Sequence, residues 1–280
     1  MLGLRAILVS CLSLLAAPLL SGLLPPSKLQ SMPNSESQPI YSSSIVTQNL
    51  STPPQVKLSV PAIAQQVSVR IVSDRGMGSG VIVDRTGQTY TVVTNDHVLA
   101  DNKDHPYSIL TADGQTHSGR WLPSANFPNL DLALVQFQSQ RVYQVAVIAD
   151  WKTLAVGDPV YAAGFPNWHW INSDAIEETR HWGTKAFRLT SGKVGMLPDK
   201  SLQEGYQLGY TNDIEEGMSG GPVLDRYGRL MGINGRAKYP FKGINVFIFA
   251  DGSLPSEELF REMESLSWAI PVTRFQQAIR

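Results

Sequence analysis

The stretch Gly217-Met218-Ser219-Gly220-Gly221-Pro222 decides how this 280-residue chain is read. Glycines on both sides of Ser219 let the backbone turn sharply, through angles closed to other residues. In such a turn the amides of Gly217 and Ser219 can point together at a developing oxyanion. A serine hydroxyl is a weak nucleophile until an imidazole takes its proton, and that imidazole needs a carboxylate on its far nitrogen to fix tautomer and orientation. Upstream, Thr94-Asn95-Asp96-His97-Val98 offers the imidazole and Leu130-Asp131-Leu132-Ala133-Leu134 the carboxylate. The expected catalytic set is therefore His97, Asp131 and Ser219, with the Gly217 and Ser219 amides as the oxyanion hole.

The order along the chain separates two folds. Gly217-Met218-Ser219-Gly220-Gly221 also fits a strand-to-helix nucleophile elbow, in which acid and histidine follow the serine. The histidines are His97, His105, His117, His169 and His181, and none comes after Ser219. That excludes the elbow and leaves the order of two packed β-barrels. Asp96 is a rival acid. Adjacent strand residues face opposite ways, which favours Asp131, and Asp131 between apolar neighbours would be an unpaired buried charge without such a partner.

The chain resembles the trypsin-like serine peptidases, and more closely the disulfide-free bacterial branch that includes HtrA protease domains. The resemblance covers residues 65–272 and rests on five motifs in one order. Gly78-Ser79-Gly80-Val81-Ile82-Val83 is similar to the branch's opening strand, and residues 94–98 to its histidine motif. Asp131-Leu132-Ala133-Leu134 is similar to its aspartate strand, residues 217–222 to its serine loop, and Gly232-Ile233-Asn234 to its substrate-pairing strand. The resemblance implies an all-β fold of two six-stranded antiparallel barrels, hydrolysis of peptide bonds through an acyl-enzyme, and an extended substrate paired to the backbone of Ile233, Asn234 and Gly235. Two departures matter. Animal trypsins keep an aspartate before the nucleophile to pair with a new amino terminus, and Met218 stands there instead. HtrA proteins append PDZ domains, yet few residues follow Val272, so gating by such a module is not expected.

The residues themselves fit the barrels. From residue 65 onward short alternating segments are separated by turn residues, which argues for barrels or sandwiches. One set comprises residues 67–71, 78–83, 90–94 and 130–137, within a first barrel of about 65–150. The other comprises 160–163, 187–194, 207–211, 223–224, 230–233 and 246–249, within a second of about 155–272. Asp113-Gly114, Gly87 and Gly228 mark reversals. Ser256 before Glu257 and Glu258 predicts a short helix over 257–265. Residues 268–272 predict a last strand, and Thr273 with Gln276 a capping box that opens a closing helix over 273–280.

Composition bounds the function. There are 23 basic and 24 acidic side chains, a formal net charge of -1, so no long-range pull toward nucleic acid is expected. Apolar residues make up 42% of the chain, enough for a folded core. The single cysteine, Cys11, lies in an amino-terminal apolar run, so the folded part holds no disulfide and rests on packing. Arg5 followed by apolar residues 6–24 has the pattern of an export signal, and its length also fits an uncleaved membrane anchor. Residues 25–64, rich in Ser, Pro, Gln and Asn, read as a disordered tether or propeptide. Within it Ala62-Ile63-Ala64 has the form of a processing site but reads better as a strand lead-in. An exported protein acting on polypeptides is the expectation.

The same residues bear on other functions. The five histidines show no metal-ligand spacing, no phosphate-binding loop is present, and no cofactor is expected. Asp213, six positions before Ser219, falls where trypsins keep the aspartate that attracts Lys or Arg, but it reads better as a solvent-facing or capping group. The segment 165–182, with Trp168, His169, Trp170, His181 and Trp182, either contacts substrate or covers its own barrel. The non-enzyme alternative is a catalytically silent protease fold that binds peptides. Intact candidates at all three catalytic positions argue against it.

Overall fold

In the computed structural model, residues 58–100, 103–123 and 127–276 are described. The expected signal or anchor (residues 6–24) and most of the expected tether lie outside them. Twelve strands close two antiparallel six-stranded barrels. Barrel one is built from β1 (Ser68–Val72), β2 (Met77–Thr86), β3 (Thr89–Thr94), β4 (Tyr107–Leu110), β5 (Thr116–Trp121) and β6 (Ala133–Gln138), hydrogen-bonded in the order β1-β2-β3-β6-β5-β4. After it come β7 (Pro159–Gly164), a separate hairpin of β8 (Trp168–Asn172) and β9 (Ala175–Glu178), then β10 (Arg188–Met196), β11 (Leu208–Tyr210), β12 (Pro222–Asp225), β13 (Leu230–Arg236) and β14 (Ser267–Pro271). Barrel two closes as β10-β11-β14-β13-β12-β7.

The strands alternate between two apolar faces because a strand's side chains point to opposite sides in turn. Val92 of β3 joins Val69, Ile82, Ile109, Val135 and Phe137 inside barrel one. Its neighbour Val93 joins Val81 and Leu134, and these meet Ala163, Leu224 and Ile233 from barrel two. Barrel two's interior holds Val160, Ala162, Leu208, Val223, Met231 and Ala269. Three apolar layers result, and the middle one joins the barrels. The site lies along that junction.

Several expectations need correction. Residues 60–67, read as tether and strand lead-in, form the helix α1 (Val60–Val67) with Pro61 in its first turn, and Ala64 and Val67 are buried. Proline preset the helical φ, and the apolar spacing found a surface to cover. Residues 246–249 were expected as a strand. A 3-10 turn at Gly243–Phe247 stands there, because Phe247 packs inward against Phe260 and Trp268 at 5.7 and 6.1 Å between ring centroids. The expected closing helix begins as a single 3-10 turn, Val272–Arg274, and residues 277–280 lie outside the described ones. A one-turn helix, α2 (Asp96–Leu99), follows β3, and α3 (Glu257–Glu264) forms where predicted, with the Leu259 amide donating to Ser256 Oγ at 3.2 Å. Strands β4 and β5 flank the predicted Asp113-Gly114 turn, and the β8–β9 hairpin lies within the segment 165–182.

Candidate active site

His97 sits on α2, which turns the chain inward at the end of β3. Asp131 lies two residues before β6, the strand paired with β3, so sheet register brings imidazole and carboxylate together. Asp131 Oδ2 is 2.7 Å from His97 Nδ1, and Oδ1 accepts from the His97 amide at 3.0 Å. The Asn95 side chain donates to the Asp131 carbonyl at 2.8 Å. Asp96, the rival acid, is paired with Lys103 at 2.6 Å. The strand argument for preferring Asp131 does not apply, because residues 96 and 97 share a helical turn; it is contact with the ring that sets Asp131 apart from Asp96.

One contact escaped the sequence reading. Tyr206, 1% exposed, donates its hydroxyl to Asp131 Oδ2 at 2.5 Å. The Asp131 amide in turn donates to the Glu204 carbonyl at 3.0 Å. Asp131, 8% exposed, is thus anchored on both its backbone and its carboxylate. Nothing in the spacing marks Tyr206, which lies 75 residues from Asp131 on the other barrel's side of the junction.

The charges follow from these bonds. Burial disfavours the Asp131 carboxylate, yet the His97 hydrogen bond and charge, the Tyr206 hydroxyl and the His97 amide hold its pKa below the usual value. Burial likewise opposes a charged His97. The Asp131 bond and field, with Glu204 and Asp96 adding, outweigh it and raise the His97 pKa. Burial first, then the neighbouring Asp131, push the Tyr206 phenol well above its ordinary range, so it stays a neutral donor.

Ser219 lies on the turn leading into β12, and hydrogen bonds across the barrel junction fix that turn. The Ser79 amide of β2 donates to the Ser219 carbonyl at 2.8 Å, the Ser79 hydroxyl to the Gly217 carbonyl at 2.8 Å, and the Phe165 amide to the Ser79 hydroxyl at 2.8 Å. Thr94 Oγ1 donates to the Ser79 carbonyl at 2.7 Å. The approach is so close that a Cβ on Gly220, whose φ is +84°, would lie 2.1 Å from the Ser79 carbonyl oxygen. Only glycine fits.

The amides of the turn sort into two groups. Met218 donates to the Glu215 carbonyl, Gly220 to Asn234 and Gly221 to Met218, while Gly217 and Ser219 find no acceptor among the described residues. The Glu216 carbonyl accepts from the Asn167 amide at 2.8 Å. A peptide's C=O and N–H point opposite ways, so this bond turns the Gly217 N–H away from Asn167. Gly217 takes φ +95°, which a side chain would strain. Met218, fully buried in barrel two's core, anchors the turn by packing where an ion pair was ruled out by sequence.

His97, Ser219 and Gly217 line one cavity of about 160 Å³, together with Glu216, Asn167 and Met77. The His97 side chain is 49% exposed and reachable from solvent. Among the described residues no hydrogen bond joins Ser219 Oγ to the ring; such bonds are often loose without substrate. Chemically the arrangement offers a hydroxyl, a base with an oriented far nitrogen, and two amides free to receive an oxyanion. Among the described residues no cluster of His, Cys, Asp or Glu could hold a metal ion.

The expected substrate residues fare differently. The Asn234 amide donates to the Gly221 carbonyl at 2.9 Å and its carbonyl accepts from Gly220, so its backbone is occupied by the serine turn. Ile233 is in register with Pro222 of β12 and Ile270 of β14. Gly235 is the extra residue of a bulge without a counterpart in β14. Asp213 is 84% exposed, paired with Lys238 at 2.8 Å, and lies outside the cavity lining. The tryptophan segment does not cover its barrel: Trp170 is 63% exposed, and only Asn167 at the hairpin base reaches the cavity.

A family model for the trypsin-like peptidase domain matches residues 78–233. A protein named "Serine protease HtrA-like" from Staphylococcus aureus (strain USA300) is 26% identical over 212 residues, 73% of this chain and 23% of that protein. "Protease Do-like 5, chloroplastic" from Arabidopsis thaliana is 28% identical over 202 residues, 68% of this chain and 57% of that one. The chain thus spans less than two thirds of the length of either relative.

Proposed function

Because the chain belongs to the trypsin-like peptidase domain family, we propose that it is a serine endopeptidase using His97, Asp131 and Ser219. One observation carries the reading: His97 and Ser219 face one cavity while Asp131 holds the far ring nitrogen at 2.7 Å. The Nδ1–H donates to Asp131, which leaves Nε2 as the proton acceptor. As Ser219 Oγ attacks a peptide carbonyl, its proton passes to Nε2, and the amides of Gly217 and Ser219 receive the oxyanion. Collapse breaks the C–N bond and Nε2 returns the proton to the leaving amine. Water, deprotonated by the same nitrogen, then hydrolyses the acyl-enzyme to acid and free serine. The His97 amide, donating to Oδ1, helps to keep the carboxylate in place.

Ser219→Ala should lower turnover on the order of a millionfold while leaving the fold unchanged by circular dichroism. A fluorophosphonate that reacts with activated serines should label the unaltered chain and spare the variant. Hydrolysis retained in purified Ser219→Ala, or an unaltered chain that resists the label, overturns the reading in favour of a silent peptide-binding module. A polypeptide substrate and an exported location belong to the same proposal. The location rests on Arg5 and the apolar run after it, and amino-terminal sequencing of the mature chain from fractionated cells checks it.

A further inference from the structure

Tyr206 is the least expected member of the site, and the structure surrounding it holds its hydroxyl in place. The ring is buried, and its hydroxyl lies so near Gly235 that a Cβ there would sit 2.1 Å from the oxygen. The Arg236 guanidinium, next along, lies 4.1 Å from the centroid of the Tyr206 ring. Its arms reach Glu204 Oε2 at 2.7 Å and the Gln203 carbonyl at 3.3 Å, with a further bond to the Val246 carbonyl. Glu204, in turn, uses its backbone carbonyl to receive the Asp131 amide. The β13 bulge, the tyrosine and the acid thus form one continuous set of contacts.

We propose that Tyr206 is a positioning residue for the proposed peptidase reaction: it holds the Asp131 carboxylate in line with His97, and Gly235 and Arg236 hold the tyrosine. The inference rests on the peptidase reading for its consequence, though not for its geometry. A carboxylate oxygen shared by two donors gives less of its charge to either. Removing the phenol therefore concentrates charge toward His97 and raises the imidazole pKa, while the carboxylate gains freedom to rotate and the ring loses its fixed aim.

The test uses the full chain carrying Ser219→Ala, titrated by the ring-proton NMR signals of His97, alone and with Tyr206→Phe. The phenylalanine variant should move the His97 midpoint up by about half a pH unit. Gly235→Ala, which displaces the hydroxyl without deleting it, should move it the same way, and so covers the case in which Tyr206→Phe fails to fold. In the chain with Ser219 restored, Tyr206→Phe should reduce kcat about tenfold with KM little changed, because the loss falls on orientation rather than binding. A residue that merely fills space would lower Tm and leave the midpoint in place. An unmoved midpoint in every folded variant overturns the proposal. Should the chain prove not to hydrolyse peptides, the titration still decides the geometry, so the two readings fail separately.

Discussion

Barrel one crosses between strands economically, and its proposed contribution, the His97–Asp131 pair, sits where β3 and β6 run side by side. Barrel two carries a hairpin between β7 and β10 and a long excursion between β13 and β14, and its proposed contribution, Ser219, sits on a turn whose glycines take positive φ. Yet neither half is held by its own barrel alone. Ser79 of barrel one receives and donates the bonds that fix the serine turn, and Tyr206, just before β11 of barrel two, supplies the phenol that fixes Asp131. Each barrel clamps the other's half of the site. Similar architecture therefore does not mean independent halves, and the difference between them lies in what each lends.

The strongest way to break that picture is Asp131→Asn, which deprives barrel one of its acid. Peptide hydrolysis should fall about ten-thousandfold, the effect of an imidazole left in the wrong tautomer. Its stability cost should also depend on pH. Asp131 has a lowered folded pKa, so its contribution is present above the ordinary 3.8 and fades as pH falls through the folded value. His97 has a raised one, so its contribution is complete below the ordinary 6.5 and fades as pH rises through the folded value. The Tm gap between the unaltered chain and the Asp131→Asn variant should be widest between those two pH values.

Next comes the reciprocal clamp. Ser79→Ala removes a buried hydroxyl that both donates and accepts, at a cost of about 1–3 kcal/mol by denaturant unfolding. If the clamp matters to the turn, labelling of Ser219 should slow about tenfold or more, in step with that loss. Unchanged labelling would show that barrel two holds its serine unaided. A milder effect belongs to acidity. The acid limb of kcat/KM against pH should lie above the ordinary histidine value, because a raised pKa keeps the proposed base protonated to higher pH. A limb below it would mean that burial outweighs Asp131. The smallest effect is expected at Lys238→Ala. This frees an exposed Asp213 and should change stability by less than about 1 kcal/mol, with no new preference for cleavage after Lys or Arg on a peptide library.

The double barrel was legible because alternation and turn residues act locally: the Asp113-Gly114 hairpin, the strands around Val81 and Val92, and the capped helix after Ser256 all follow from nearest-neighbour chemistry. What escaped depends on remote packing. Phe247 fits a strand by propensity but turns inward because Trp268 and Phe260 wait there. The helix Val60–Val67 was obscured by a polar, proline-bearing approach, although its apolar residues keep helical spacing. At the candidate site, the proposed set of His97, Asp131, Ser219 and Gly217 could be named from the sequence because its motifs are short and ordered. The backbone bonds of Ile233 and Asn234 to their neighbours were not legible, because a strand's sequence does not reveal which of its edges is already taken. Tyr206 left no trace at all, since a single buried aromatic before a strand looks like core.

Ser79 has one more consequence. A small separation of the barrels would release the Gly217 and Ser219 carbonyls together while both sheets stayed closed. Heating should therefore silence the chain at a lower temperature than the one at which its circular dichroism collapses, and a ligand that bridges the seam should bring the two temperatures together.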